Sequence, residues 1–291
     1  MWIISTIGYV ISDAFENVFQ KKATLHFNEY IITWSILAIS SLFYIPLLIA
    51  SQKPESLNEL FWIGVVGRII IDSFALVFYV KAIKLSQLSL AVPMISLKPV
   101  FILIATAFIN GLFPSSLGLL GVLVVVVGVY LLNFDYTKKK VDLLSPFKNI
   151  LKEKGVQYML AAAFLWGFVV AFQKLSIDNS NPYFYTSFFQ PLWALVFTPV
   201  AFLSDRKSFF SLFKFANLKK VTPIGFFDGL KSIAENIAFT LALPAYVSAL
   251  ESSGILLTAI FGSLFFKEKI GYKLIPILII IIGVVLVTFA Q

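Results

Sequence analysis

Apolar residues run through this chain in ten stretches of about twenty, each closed by a short polar interval. The stretches fall at roughly 2–20, 30–50, 60–80, 88–109, 116–134, 156–174, 183–204, 221–242, 246–266 and 272–290. A helix of about 20 residues crosses the roughly 30 Å hydrocarbon core of a bilayer. The pattern therefore predicts an all-α integral membrane protein with ten transmembrane helices. Two connections are long, 135–154 and 205–220. The first reads DYTKKKVDLLSPFKNILKEK and holds six lysines.

The stretches before and after that basic segment repeat one another. Phe19-Gln20-Lys21 recurs as Phe172-Gln173-Lys174, an offset of 153 at which Asn28 also pairs with Asn181, Tyr30 with Tyr183 and Pro46 with Pro199. At 156, Asp72 pairs with Asp228 and Ala82 with Ala238, and at 155 Gly128-Val129 matches Gly283-Val284. The expected organisation is a first five-helix repeat at 1–134, a basic cytoplasmic linker at 135–154 and a second repeat at 155–291. An odd number of spans per unit makes the second copy enter the membrane upside down. Inverted repeats of this kind enclose a solute site near mid-membrane in many carriers, and a central polar cavity is expected here.

Composition agrees and narrows the class. Of 291 residues, 59% are hydrophobic, 13% charged and 31 are Phe, against about 45–50% apolar and about 25% charged in soluble domains. Cysteine is absent and the single histidine, His26, falls in a short loop, so no disulfide framework or metal site is expected. No basic run precedes Trp2, and Asp13 and Glu16 interrupt the first apolar stretch, so that stretch is expected to remain a helix rather than a cleaved leader. The net charge of +8 reads as loop lysines that set orientation, not as a nucleic-acid surface. With the N-terminus outside, eighteen Lys and Arg fall on the cytoplasmic side, two (Lys53, Lys174) outside, and three (Arg68, Lys98, Lys231) within spans. Both termini are therefore expected outside a cell (inner) membrane.

Several short motifs resemble the drug/metabolite transporter superfamily in its ten-helix EamA-like branch. They are Trp166-Gly167 in the sixth span, Tyr79-x-x-Ala82 running on to Lys98-Pro99-Val100, and Phe265-Phe266-Lys267-Glu268-Lys269 followed by the Gly283-Val284 run. The resemblance covers nearly the whole chain. It implies a carrier whose first, third, fourth, sixth, eighth and ninth helices line the cavity, with Trp166 among the lining residues.

Charged groups inside spans carry the chemistry, because each costs about 2.5–3.5 kcal/mol if left facing lipid at mid-depth. The eighth span holds Asp228, Lys231, Ser232, Glu235 and Asn236 within an arc of about 140°. An internal Lys231 salt bridge is the plain structural reading, yet one lysine still leaves an acid over. The first span aligns Asp13, Glu16, Asn17 and Gln20 without a cation of its own. The third places Arg68, Asp72 and Tyr79 on one side, with Arg68 readable as a snorkelling end residue. The ninth offers Ser248, Glu251 and Ser252. In the fourth, Ser89 and Ser96 align while Lys98 points about 180° from Ser89 on an ideal helix, unless Pro93 and Pro99 bend it inward. Leu117–Leu132 and Ile275–Val287 carry no charge and read as scaffold, with Gly118, Gly121 and Gly128 for close packing. The aromatics of Tyr183–Trp193 read as an interfacial belt.

Within the spans six acids (Asp13, Glu16, Asp72, Asp228, Glu235, Glu251) face three bases. Desolvation favours the protonated acid and a nearby cation the ionised one, so such a set is suited to exchanging protons. Glu235, Glu251 and Asp13 are the candidates for proton coupling. The sequence reads as a secondary active transporter of a small polar solute, an amino acid, amine or similar cationic or zwitterionic metabolite, working by alternating access. A lipid or drug flippase of the same superfamily is the alternative, and an intramembrane enzyme a weaker one, since no nucleophile, metal cluster or Gly-rich phosphate loop is present. No catalytic residue or cofactor is expected. The expected partners are the lipid bilayer and a small-molecule solute, not nucleic acid, with a monomer expected and a homodimer as the alternative.

Overall fold

The computed structural model describes residues 1–50, 54, 56–86, 91–132, 153–266 and 274–290. Most of the basic linker 135–154, Ser89 and the side chain of Ser96 lie outside the described residues. What is described is helical, with no strand. The first half contains α1 (Trp2–Ala23), α2 (Glu29–Ala50), α3 (Glu59–Leu85), a 3-10 turn (Val92–Leu97), α4 (Lys98–Asn110) and α5 (Ser116–Leu132). The second contains α6 (Lys154–Asp178), α7 (Pro182–Ser204), the short α8 (Arg206–Ser211), α9 (Phe215–Leu241), α10 (Pro244–Glu251), a 3-10 turn (Ser252–Gly254), α11 (Ile255–Phe266) and α12 (Leu274–Phe289).

Helices α2, α3, α6 and α7 are long and apolar enough to cross a membrane, and α4, α5 and α12 contain shorter apolar stretches. At 22 and 27 residues, α1 and α9 would span about 33 and 40 Å, but they carry the densest charge. The exterior is apolar, with Ile4, Phe74, Leu195, Leu203, Leu264 and Ile275 all exposed. In water such a surface would aggregate, whereas lipid solvates it.

Local chemistry places the helix ends. Asn28 Oδ1 accepts from Ile31 N at 2.9 Å and Asn181 Oδ1 from Phe184 N at 2.8 Å, so two residues paired by the repeat each satisfy an open backbone donor at a helix start. Gly111 ends α4 at φ 66°, a left-handed conformation that glycine takes without steric cost.

Two predicted spans are broken rather than continuous. The fourth runs as a 3-10 turn into α4, with Lys98 as the first residue of α4 and Pro99 where a missing N–H costs little. The ninth breaks at Ser252–Gly254. There Ser252 Oγ donates to Ser248 O at 2.9 Å and Ser253 Oγ to Leu250 O at 2.6 Å, serine hydroxyls competing for helix carbonyls.

The principal packing pairs join the two halves. Asn28 meets Ser204, Trp34 meets Thr198 and Ser40 meets Gln190, a descending series that makes α2 and α7 antiparallel. α3 meets α6 where a Cβ on Gly64 would touch Phe172 and Ser176, and again where one on Gly155 would touch Ala82 and Ser86. α1 meets α9 through Lys231 on Asp13 and Phe227 on Phe15 and Phe19. α5 lies against α12 with Gly121 facing Val287 and Gly283, Val125 facing Gly283, and Gly128 facing Ile280. A Cβ at Gly128 would come 2.8 Å from Ile280 Cγ1, so the approach depends on glycine.

Candidate functional site

A cavity enclosing about 110 Å³ of water-accessible space lies between the halves. Its wall includes Tyr9, Asp13 and Glu16 from α1, Arg68, Asp72 and Tyr79 from α3, and Lys98 from α4. Trp166 and Gln173 of α6, Gln190 and Trp193 of α7, and Asp228, Lys231, Ser232 and Glu235 of α9 complete it with Ser248, Glu251 and Ser252. All six in-span acids and all three in-span bases therefore converge on one space.

They form three ion clusters. Lys231 Nζ lies 3.4 Å from Asp13 Oδ1 and 3.9 Å from Asp228 Oδ1, and closest to Glu16 Oε2. Lys98 Nζ lies 3.3 Å from Glu251 Oε2 and 3.7 Å from Glu235 Oε1. Arg68 Nε donates to Asp72 Oδ2 at 3.2 Å and its Nη1 to Tyr185 Oη at 2.9 Å, with the guanidinium 4.3 Å from the Phe189 ring centre. Each base is thus held by carboxylate, and the acids exceed the bases by three. Buried charges are tolerated only when paired or wetted, so three carboxylates of this wall need a partner beyond the three bases.

Amides and indoles tie the clusters together. Trp166 Nε1 donates to Asp72 Oδ1 at 2.9 Å, Gln190 Nε2 to Asp228 Oδ2 at 3.0 Å, and Gln173 Nε2 to Glu235 Oε2 at 3.2 Å. Asn17 and Asn236 sit behind the wall: Asn17 donates to Asp13 Oδ2 at 2.9 Å and accepts from Tyr79, while Asn236 accepts from Gln173 at 2.6 Å. Glu251 Oε1 and Ser248 Oγ are buried with no hydrogen-bond partner among the described residues. No group of three or more His, Asp or Glu suited to holding a metal occurs among the described residues.

Two placements differ from the sequence reading, and a third, Lys98, settles the direction of a cavity candidate. Arg68 does not snorkel: it is 8% exposed and lines the cavity, because α3 starts at Glu59 and carries it nine residues deep, about 14 Å. The Tyr183–Trp193 aromatics are not all belt. Tyr183 is exposed, but Tyr185, Phe189 and Trp193 are buried and Trp193 faces the cavity; their spacing of four, one helix face, is the signal that reveals them. Lys98 is 7% exposed and faces inward, since the 3-10 turn resets the rotation that an unbroken helix would impose. Tyr9, Gln173 and Gln190 also line the wall, and the sequence reading did not single them out as site residues. Gln20 is buried but does not reach the cavity wall.

The chain has relatives of the same kind. The model of the EamA-like transporter family matches residues 1–134 and again 153–289. A protein of Archaeoglobus fulgidus described as an uncharacterized transporter is 21% identical over 292 residues, covering 98% of this chain and 96% of its own length. A solved crystal structure superposes with a TM-score of 0.68 at 14% identity, over 99% of this chain and 96% of the other, a likeness of fold alone.

Proposed function

Because the chain belongs to the EamA-like transporter family, and is thereby a multi-pass membrane transporter of the drug/metabolite superfamily, we propose that it is a secondary active carrier for a small cationic or zwitterionic amine. The observation that carries this reading is the charge balance of the cavity. Three bases are already claimed by carboxylates, three acids remain in surplus, and Glu251 Oε1 and Ser248 Oγ are left unbonded among the described residues. An ammonium group supplies the missing charge and donors together.

The reading includes alternating access by two inverted five-helix repeats with ten spans. Its support is that contacts exchange under the repeat offset. Gly128 on Ile280 becomes, 155 residues on, Gly283 against Val125. Since α5 and α12 are antiparallel there, an axis relating them runs across the helices rather than along them. The ends of the bundle also differ. At the end carrying Lys21, that ammonium donates to Ile83 O at 3.0 Å and to Ser86 O, and Glu29 holds Lys81 and Lys84 at 3.6 and 3.2 Å. At the opposite end Lys174 pairs locally with Asp178. The lysine-clasped end is assigned to the cytoplasm and taken as closed, the other as the open mouth. A single cysteine at Ser145, in the basic linker, should then resist a membrane-impermeant thiol reagent in intact cells; prompt labelling reverses the orientation.

Proton coupling is assigned to Glu235, Glu251 and Asp13. The deciding experiment is counterflow in proteoliposomes of labelled alanine, lysine, ethanolamine and putrescine, with and without a pH gradient. Accumulation of one of them supports the reading, and movement of none of them ends it. Neutral Glu235→Gln and Glu251→Gln proteins that keep full gradient-driven uptake with unchanged pH dependence would remove the coupling assignment alone.

A further inference from the structure

Lys98 and Glu251 stand at the two broken helices of the cavity wall. Each stands where its helix is interrupted. Lys98 directly follows the turn Val92–Leu97, and Glu251 directly precedes Ser252–Gly254.

The pair is loosely made. An ammonium bonded to a carboxylate ordinarily sits about 2.7–2.9 Å away, whereas Lys98 Nζ is 3.3 Å from Glu251 and 3.7 Å from Glu235. It also faces the Trp166 ring, whose centre lies 5.8 Å away and which attracts cations as well. Glu251 Oε1, on the 8%-exposed Glu251, has no partner among the described residues. One amine on a flexible four-carbon stem is thus shared between two acids and a ring, beside acceptor capacity it does not use.

We propose that Lys98 is a tethered substitute for the ammonium group of the solute. In the empty carrier it neutralises Glu235 and Glu251, so the protein reorients without bare carboxylates in a poorly solvated interior. When solute arrives, its ammonium takes the two carboxylates and Lys98 withdraws to the face of Trp166. This deepens the amine-carrier reading and rests on it. The consequence is kinetic: Lys98 matters more for net movement, which needs an empty return step, than for exchange, in which the site reorients loaded.

Two measurements test the proposal. In the first, the purified Lys98→Ala protein is heated at pH 8 with methylammonium chloride or with equal tetramethylammonium chloride. Methylammonium, a free copy of the missing group, is expected to raise Tm by at least about 2 °C more than tetramethylammonium. The gain should be absent in wild type and in Lys98→Ala/Glu251→Gln. Equal gains from both salts, or equal gains in wild type and variant, overturn the proposal. Lys98→Gln, which keeps a polar side chain of similar reach, takes the same test if the alanine protein does not fold. In the second, proteoliposomes carrying the solute identified by counterflow compare net efflux with solute–solute exchange. Lys98→Ala should lower net efflux by at least about tenfold more than it lowers exchange; equal loss of both overturns it. Failure of wild type to move any labelled amine sinks the carrier reading, whereas the methylammonium measurement still decides whether the Lys98 site accepts a free ammonium.

Discussion

The Trp166 indole N–H donates to Asp72 Oδ1 at 2.9 Å, and through Asp72 it reaches Arg68 on the same cavity wall. A residue of α6 thereby fixes an ion pair of α3. Replacing Trp166 by Phe keeps the ring and removes the donor. A hydrogen bond to a charged group contributes about 1.5–3 kcal/mol, so Trp166→Phe should lower stability by about that amount, read by thermal unfolding in detergent. Uptake should fall with it, because Asp72 loses one of its two restraints. Unchanged stability would show that Asp72 finds water instead.

Lys231 is the one base serving three acids, Asp13, Glu16 and Asp228. Breaking a buried pair from one side costs about 3–5 kcal/mol because a bare charge is left behind. Lys231→Met should reach that range, and Lys231→Met/Glu16→Gln should cost less than the sum of the singles by more than about 1 kcal/mol. A double-mutant cycle on unfolding midpoints measures the difference. Additive effects would mean that Glu16 and Lys231 do not act as a pair.

The glycines divide into two kinds. A Cβ at Gly121 would lie 2.7 Å from Val287 Cγ2 and 2.8 Å from Val287 N, so Gly121→Val must part α5 from α12. Overpacking of this sort costs about 1–3 kcal/mol or more. Gly111 has nothing within 4 Å of such an atom but sits at φ +66°, so Gly111→Ala should cost only the left-handed penalty of about 1–2 kcal/mol. Loss of folded protein should follow the first change and not the second, as size-exclusion profiles of the purified variants will report.

The clasp at Glu29 is partly exposed, and such ion pairs contribute only about 0.2–1 kcal/mol each. Glu29→Gln should leave the fold intact and loosen one end. A cysteine at Ser86, buried beside that clasp, is expected to react with a polar maleimide about 2–5 times faster when Glu29 is Gln. An unchanged rate would place the gate elsewhere.

Much of this was legible in the chain because membranes impose long apolar runs and penalise each charge within them. Helix positions followed from the runs to within a few residues at most ends, the largest gap being the start of α9 at Phe215, and the in-span acids followed from the penalty. What escaped is rotation about a helix axis. The direction of Lys98 depends on a 3-10 turn that Pro93 and Pro99 announce without saying which way it turns. The break at Ser252–Gly254 has no proline to announce it at all. Gln173 and Gln190 were invisible for a different reason: an amide among apolar residues becomes informative only when Glu235 or Asp228 is found beside it.

The cross-half pairing of α1 with α9, α2 with α7, α3 with α6 and α5 with α12 bears on how the molecule assembles. Each arm sets small-residue faces against the other arm, and Lys98 and Lys231 each reach across to carboxylates of the opposite arm, so neither arm by itself encloses a finished interior. Helices made early must wait in the bilayer, with Asp13 and Glu16 lacking their lysine, until α9 is inserted. Biogenesis is then the moment of greatest exposure to quality control, and changes in the second arm should show up as degradation of the first.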